Sequence, residues 1–306
     1  MRGIFLGTPT AAIPSLAAMA GVVDIAAVVT RPDRPKGRSD KPSPSPVKLA
    51  AADWGFAVEE PQSHAGLLAV LEAYQPDFAL VVAYGRILRA EALEIVPLGF
   101  VNVHFSLLPR WRGAAPVERA LLAGDDHTGV TLMLIDVGLD TGPVLSVAET
   151  PITGDETGGS LTARLSYIGG QLVDEALPSF LTGRLSAAPQ LATGVLTAPS
   201  LTREEAQIDG TWECEKAERA VRAYDPRPGA WVEMDGGDQL KVISASIHEA
   251  DVEPGRIEGV GGLPVLGLED GSLQLNELQP AGRRRQSGSA WLNGRRGEAI
   301  RVVGRR

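Results

Sequence analysis

The spacing of apolar and polar positions predicts strands that alternate with helices along the first 183 residues. Short continuous apolar runs, typical of buried parallel strands, occupy residues 4–6, 25–30 and 78–83. Helices are predicted between such runs, at about 11–21, 47–53, 115–123 and 160–181. This alternation indicates a parallel sheet with helices on both faces, so we predict an α/β fold whose first domain is a doubly wound (Rossmann-like), mostly parallel sheet.

The pattern changes after residue 183. Residues 184–203 are rich in Pro, Ala and Thr and lack periodicity, which predicts a linker. A helix is predicted at 214–224, and five short strand-like runs separated by Gly and Asp follow at 230–234, 240–244, 255–260, 263–268 and 271–278. This spacing predicts a small OB-like β-barrel. The resulting domains are 1–183, the linker 184–203, and 204–306.

Candidate chemistry is concentrated at the ends of two predicted strands. Asn102 and His104 are two positions apart in an apolar run, so their side chains point to the same face of a strand. They stand near its carboxyl end, where open α/β sheets place their ligand crevice. Asp140 follows the predicted strand 130–135, on a turn rich in glycine, and we expect the ends of these two strands to be neighbours. An amide, an imidazole and a carboxylate form a workable set for acid–base chemistry and for polarising a carbonyl group.

Three motifs together resemble the folate-dependent formyltransferase family. They are Asn102-Val103-His104, the following Ser106-Leu107-Leu108-Pro109, and the segment 136–142, Asp-Val-Gly-Leu-Asp-Thr-Gly. The resemblance implies that Asn102, His104 and Asp140 are catalytic and that Ser106, Leu107, Leu108 and Pro109 contact folate. It further implies 10-formyltetrahydrofolate as co-substrate and no metal. The first turn, Gly7-Thr8-Pro9, lacks the GxGxxG phosphate cradle, so no dinucleotide site is predicted.

Positive charge is local in a chain whose net charge is −9. Such a net charge argues against a general nucleic-acid binder. Residues 31–41, however, hold five basic and two acidic side chains in a proline-rich loop, and eight arginines face one glutamate after residue 282. By composition the loop could simply be solvated, and the tail could simply aid solubility. The resemblance implies that Arg34, Lys36, Arg38 and Lys41 bind the acceptor end of a tRNA, with Arg38 at the position of the family's loop arginine.

Composition limits the setting of the protein. The length of 306 residues suits two domains. The single cysteine, Cys214, excludes an internal disulfide and fits a reducing compartment. No run is long and apolar enough to span a membrane, and the N-terminal pattern predicts a strand, a turn and a helix rather than a leader. We therefore expect a cytoplasmic protein without a membrane partner. We also expect a monomer, although no sequence pattern bears on oligomeric state.

The resemblance is greatest to family members that formylate the α-amino group of methionyl initiator tRNA, and this is the expected activity. Two alternatives stay open: a formyltransferase for a sugar or purine-precursor amine (or a formyl-folate hydrolase), and a non-catalytic RNA-binding protein on the same scaffold. The basic loop and the barrel argue against small acceptors, which need no distant basic surface. The chain departs from the family at Ala11, Phe105, Ser200 and Gly210, where Phe, Ala, Lys and Trp are usual.

Overall fold

The apolar runs of the sequence form strands in the structure, a computed structural model that describes residues 1–35, 42–295 and 300–304. The strands are β1 Arg2–Gly7, β2 Asp24–Val29, β3 Arg34–Pro35, β4 Pro42–Ser43, β5 Val58–Glu59, β6 Phe78–Val82, β7 Phe100–His104, β8 Arg112–Gly113, β9 His127–Leu134, β10 Val144–Pro151, β11 Thr197–Ala198, β12 Trp231–Glu233, β13 Gln239–His248, β14 Arg256–Val260, β15 Leu263–Leu268, β16 Gly271–Pro280, β17 Gln286–Ser287 and β18 Ile300–Arg301. The α-helices are α1 Ile13–Val22, α2 Pro46–Asp53, α3 His64–Tyr74, α4 Ala90–Leu93, α5 Pro116–Ala123, α6 Gly158–Leu181, α7 Cys214–Ala223 and α8 Gly288–Asn293. Short 3-10 helices span Thr10–Ala12 and Glu204–Ala206.

The chain divides into two compact units. The first comprises Met1–Pro116, His127–Pro151 and Thr162–Ala198, and the second comprises Val117–Asp126, Ile152–Leu161 and Pro199–Arg306. The domain limits drawn from the sequence, 1–183, 184–203 and 204–306, stay a prediction.

The first unit contains a seven-stranded sheet in the order β10-β9-β7-β6-β1-β2-β5. The five strands from β7 to β5 are parallel. The chain runs outwards from β1 to β2 and β5, then returns to β6 and β7 on the other side of β1. Right-handed crossovers in these two directions place the helices on opposite faces. The predicted doubly wound, mostly parallel sheet is therefore confirmed.

One strand runs against the direction that the sequence suggested. Strand β9 is antiparallel to β7, with Asn102 opposite Met133 and His104 opposite Thr131. The loop after β9 therefore starts beside the beginning of β7, where the amide of Ile135 bonds to the carbonyl of Phe100 at 2.7 Å. The expectation that Asp140 arrives from a strand tip adjacent to that of His104 was wrong. Residues 135–143 instead turn back into β10, which pairs antiparallel with β9.

Both faces of the first sheet are covered. On one face, Ile4, Leu6, Val81 and Phe100 belong to a buried cluster that also contains Leu67 and Leu71 of α3. On the other face, α6 approaches the strands closely at Gly169. A Cβ atom there would lie 2.8 Å from Cγ1 of Val103, a distance that real Cβ contacts do not show. A glycine in this helix interior costs stability but permits the close approach.

The second unit contains a closed antiparallel barrel. Its strands follow the order β12-β13-β16-β15-β14-β18, with β17 beside β16. The two ends of this order meet, because Met234 pairs with Val302 and the amide of Val303 bonds to the carbonyl of Glu233 at 2.8 Å. The buried core includes Leu273, Leu275 and Leu278 of β16 together with residues of α7. The prediction of a small C-terminal β-barrel is confirmed.

The segment predicted as a linker makes specific contacts within the first unit. Ala188 pairs with Val144, and β11 lies parallel to β8. None of the described helices in either unit is both long enough and apolar enough to cross a bilayer.

Candidate active site

Strand β7 carries two polar side chains into the covered interior of the first sheet. Its residues alternate, so that Phe100, Asn102 and His104 share one face while Val101 and Val103 point to the other. Val81 and Met133 are the neighbours of Asn102 on the adjacent strands. A sheet face that is covered by helices normally carries apolar residues, because burying an unpaired polar group costs free energy. The presence of Asn102 and His104 on this face therefore requires a specific explanation.

A cavity of about 390 Å³ opens on this face. Its walls come from the strands, from residues 83–88 after β6, and from residues 135–140 after β9. Asn102, His104 and Asp140 all line it. The structure thus brings the three residues predicted as catalytic into one cavity, and its volume lies in the range of small-molecule sites.

His104 is nearly buried, with 6% of its surface exposed. Its Nε2 atom lies 2.9 Å from the carbonyl oxygen of Trp111. A carbonyl oxygen only accepts, so Nε2 must carry the proton that it donates. Its other nitrogen, Nδ1, lies 3.7 Å from Oδ2 of Asp140. Proton exchange at His104 therefore takes place at Nδ1, beside the carboxylate.

Burial lowers the pKa of His104, because the charged imidazolium is poorly solvated inside the unit. The Asp140 carboxylate and the Trp111 carbonyl act in the opposite direction, but burial dominates. The Asp140 carboxylate thus favours the charged form of His104 without outweighing burial. At neutral pH His104 is therefore an uncharged imidazole with a free lone pair on Nδ1, as a general base requires.

Asp140 is held in an uncommon backbone conformation. Its φ is +51°, in the left-handed region that residues other than glycine seldom occupy. Its Oδ2 atom accepts a hydrogen bond of 2.8 Å from the backbone amide of Gly113. Strained positions of this kind persist where surrounding contacts impose them, and they concentrate at functional sites.

The predicted folate segment follows directly after Phe105, which lines the cavity. Among the described residues, none of Ser106, Leu107, Leu108 and Pro109 lines the cavity. Ser106 is fully buried and its hydroxyl donates to the Arg110 carbonyl at 2.6 Å, while the Leu108 amide donates to the Thr131 hydroxyl at 3.1 Å. These bonds shape the turn that presents the Trp111 carbonyl to His104. A folate contact by this segment stays a prediction.

Of the four residues predicted to bind tRNA, Arg34 is described. It lies in the exposed strand β3, paired with Ser43 of β4. Lys36, Arg38 and Lys41 lie outside the described residues. The tRNA role of all four stays a prediction.

Two departures from the family pattern have a visible setting. Phe105 is buried and lines the cavity next to His104. Gly210 leaves no space for a side chain, since a Cβ atom would lie 2.3 Å from the backbone nitrogen of Gly255. Ala11 is half-buried in the first 3-10 helix and Ser200 is exposed, and nothing in their surroundings explains them.

The sequence predicts that the strand at 78–83 ends at Tyr84-Gly85 and faces the same crevice as Asn102, and residues 83–88 do form one wall of the cavity. Sequence reasoning did not predict the apolar residues at its edge, which include Ile87, 87% exposed. Val137 and Leu139, which also line the cavity, are 83% and 63% exposed. Apolar residues in the loops that follow strands are a weak sequence signal for a ligand-binding surface. Sequence reasoning also missed Gln190, which contacts Asp140 from the segment predicted as a linker. No signal in the sequence marked it.

Comparison with known proteins gives a consistent result across the chain. Residues 6–177 match the family model described as formyl transferase, and residues 200–296 match the model of the formyl transferase C-terminal domain. A methionyl-tRNA formyltransferase from Halorhodospira halophila is 46% identical over 302 residues, covering 96% of each chain.

Solved structures share the fold at lower identity. HypX from Aquifex aeolicus in complex with tetrahydrofolic acid superposes with a TM-score of 0.68 at 18% identity, over 95% of this chain and 47% of that one. This chain thus spans about half the length of HypX. An N-formyltransferase from Helicobacter canadensis, solved with folinic acid and dTDP-3-aminofucose, has a TM-score of 0.68 at 18% identity, over 91% and 98% of the two chains.

Proposed function

Since the chain belongs to the formyl transferase family, we propose that it transfers the formyl group of 10-formyltetrahydrofolate to the α-amino group of methionyl initiator tRNA. The observation that carries this proposal is the cavity in which Asn102, His104 and Asp140 meet. The relative from Halorhodospira halophila, which bears the name methionyl-tRNA formyltransferase over nearly the whole length, supports the choice of acceptor.

His104 acts as the base in this proposal. The acceptor amine attacks the formyl carbon, a new C–N bond forms, and the carbonyl oxygen becomes an oxyanion. The amine must then lose a proton, and Nδ1 of neutral His104 receives it. Asp140, 3.7 Å from that atom, stabilises the resulting imidazolium. Cleavage of the bond between the formyl carbon and the folate nitrogen returns this proton to the leaving nitrogen.

Asn102 acts on the oxygen in this proposal. Its side chain is half-buried on the same face as His104 and carries N–H donors without a charge. A neutral amide donor in a covered site stabilises a developing oxyanion, and removing one such donor typically lowers the rate about 10²–10³-fold.

The apolar walls of the cavity suit a flat heteroaromatic ring, so we place the folate there. Leu88 and Ile135 line the interior, and Ile87, Val137 and Leu139 expose apolar surface at its edge. Covering these side chains removes them from water, which favours binding of an aromatic co-substrate. We therefore propose the residues after β6 and β9 as folate contacts, beside Ser106–Pro109, whose contact stays a prediction.

The tRNA would be bound by the basic residues Arg34, Lys36, Arg38 and Lys41. Their charge favours phosphate, and their binding should weaken as salt concentration rises. We further infer that the protein acts in the cytoplasm, where aminoacylated tRNA is available, and that it acts as a monomer.

The test uses the purified protein, 10-formyltetrahydrofolate and four acceptors: methionyl initiator tRNA, methionyl elongator tRNA, free methionine and a nucleotide-linked amino sugar. Preferential formylation of the initiator tRNA is expected. Equal rates with free methionine would contradict the tRNA assignment. Transfer to a nucleotide-linked amino sugar alone would show a small-molecule formyltransferase, and binding of tRNA without any transfer would show the non-catalytic alternative.

Two substitutions divide chemistry from tRNA engagement. Asp140→Ala should abolish turnover while leaving the fold intact. Arg38→Ala should mainly reduce kcat/KM for the tRNA, whereas Arg184→Ala, an exposed arginine outside the basic loop, should leave it unchanged. If the tRNA kinetics of Arg38→Ala are unaltered, the basic loop is only a solvated surface loop and does not bind tRNA.

A further inference from the structure

Gln190 joins three parts of the first unit through one side-chain amide. Its Nε2 atom donates to the backbone carbonyls of Asp140 and Gly142, each at 2.8 Å. Its Oε1 atom accepts from Nε and Nη2 of Arg112, at 3.1 and 2.7 Å. Both N–H groups and both lone pairs are thus used. The amide orientation is unambiguous, because carbonyls only accept and a guanidinium only donates.

The carbonyl that Gln190 holds belongs to the residue with the strained backbone. With φ at +51°, Asp140 needs contacts that favour this conformation over the ordinary ones. The side chain of Asp140 depends on the same backbone, since its direction follows from φ and ψ. In the observed conformation Oδ2 reaches both the Gly113 amide at 2.8 Å and the vicinity of Nδ1 of His104 at 3.7 Å.

The segment that carries Gln190 also fixes the other partner of Asp140. The Gly113 amide that bonds to Oδ2 lies in β8, which pairs with β11 at Thr197–Ala198. The contact is tight, because a Cβ atom on Gly113 would lie 2.5 Å from the carbonyl oxygen of Ala198. Residues 188–198 therefore hold Asp140 from two sides: Gln190 at its carbonyl, and β11 through the strand that bonds its carboxylate.

We propose that Gln190 is a positioning residue that keeps the Asp140 carboxylate beside Nδ1 of His104. The proposal rests on the proposed function for its kinetic readout. Gln190 itself touches no reacting atom; it acts through the backbone of Asp140. A segment without periodicity or motif thus becomes part of the catalytic arrangement.

Gln190→Glu is the sharpest substitution, because the two side chains have nearly the same shape. The carboxylate keeps an acceptor for Arg112 but can no longer donate to the carbonyls of Asp140 and Gly142, and it brings negative charge against them. A role limited to anchoring the segment through Arg112 would survive this change. The matched control is Gln171→Glu, the same substitution at an exposed position of α6.

Two readouts are required. In formyl transfer, kcat of Gln190→Glu should fall about 10²-fold, the typical effect of misplacing a catalytic group by about 1 Å, with KM for both substrates little changed. In NMR, the His104 ring should titrate at lower pH than in the wild type, because the nearby Asp140 charge raises its pKa. The chain has four histidines, so a His104→Gln spectrum assigns the signal.

The outcomes separate the two proposals. A wild-type protein that formylates no acceptor would overturn the proposed function, while the NMR titration would still decide the role of Gln190. An unchanged His104 titration in Gln190→Glu would overturn the positioning role, whatever kcat does, and so would a kcat within about twofold of the wild type. If Gln190→Glu fails to fold, Gln190→Met supplies both readouts, since it removes the same donors without adding charge.

Discussion

Strands β7 and β16 show the same alternation of side chains with different consequences. In β16, Leu273 and Leu275 point into the barrel core, while Gln274 and Asn276, which alternate with them, stay partly exposed. In β7, Val101 and Val103 alternate with Asn102 and His104, yet His104 is 6% exposed. Polar positions of a barrel strand face water, whereas those of a central strand in a doubly covered sheet face the interior. Polar residues there cost stability, so their presence indicates function.

The largest expected effect is loss of catalysis at the buried polar face. His104→Ala removes the base and should lower kcat/KM about 10²–10⁴-fold, with little change in the midpoint of denaturation. His127→Ala, an exposed histidine at the start of β9 in the same sheet, is the control and should retain full activity. Near-native activity of His104→Ala would contradict the claim that the buried polar residues of β7 serve catalysis.

The barrel strand should show the opposite response, with stability affected first. Leu275→Ala empties part of the barrel core and should lower the free energy of unfolding by about 2–5 kcal/mol. Ile247→Ala, at a position of β13 that is 56% exposed, should change it by about 0.5 kcal/mol or less. Denaturant titration measures both. Equal losses of unfolding free energy at Leu275 and Ile247 would show that burial does not determine how much each side chain contributes to the stability of the barrel.

Acid should destabilise the first unit through His104. Burial lowers the pKa of His104 in the folded protein below its ordinary value of 6.5, so the unfolded chain takes up this proton first. The unfolded state then binds more protons, and stability falls as pH decreases below about 6.5, towards the folded pKa. Above that value this contribution is constant. Denaturation of the wild type and His104→Gln between pH 5 and 8 measures the difference, and identical pH profiles would contradict it.

The smallest expected effects are at charged pairs of the second unit. Glu205 accepts from Arg119 at 2.9 and 3.1 Å and also from the Thr202 amide at 2.6 Å, so Glu205→Ala should cost about 1–2 kcal/mol. Glu215, which is 77% exposed and pairs with Arg219 one turn along α7, should cost about 0.5 kcal/mol or less when changed to Ala. A larger loss at Glu215 would mean that surface charge matters more here than its exposure suggests.

Much of the fold could be predicted because local patterns specify it. The predicted helix at 160–181 forms as Gly158–Leu181, and the run at 263–268 forms β15 with the same limits. The hairpin strand β10 was not predicted, since its alternation of half-buried and exposed residues gives no strong apolar signal. The direction of β9 was also beyond the sequence, because an apolar run looks the same in parallel and antiparallel pairings.

The sequence by itself determined most of the segments that become strands and helices, and that Asn102 and His104 share a face. These properties depend on side-chain periods of 2.0 residues in strands and 3.6 residues in helices, which can be recognised within a short stretch of sequence. Only the tertiary structure decided that the turn after β9 brings Asp140 to His104, that Ser106–Pro109 do not line the cavity, and that Gln190 bonds to Asp140 from 50 positions further along the chain. Such contacts join loops, whose sequences show no helical or strand periodicity. They form only after the sheet has assembled and fixed the positions at which the loops begin.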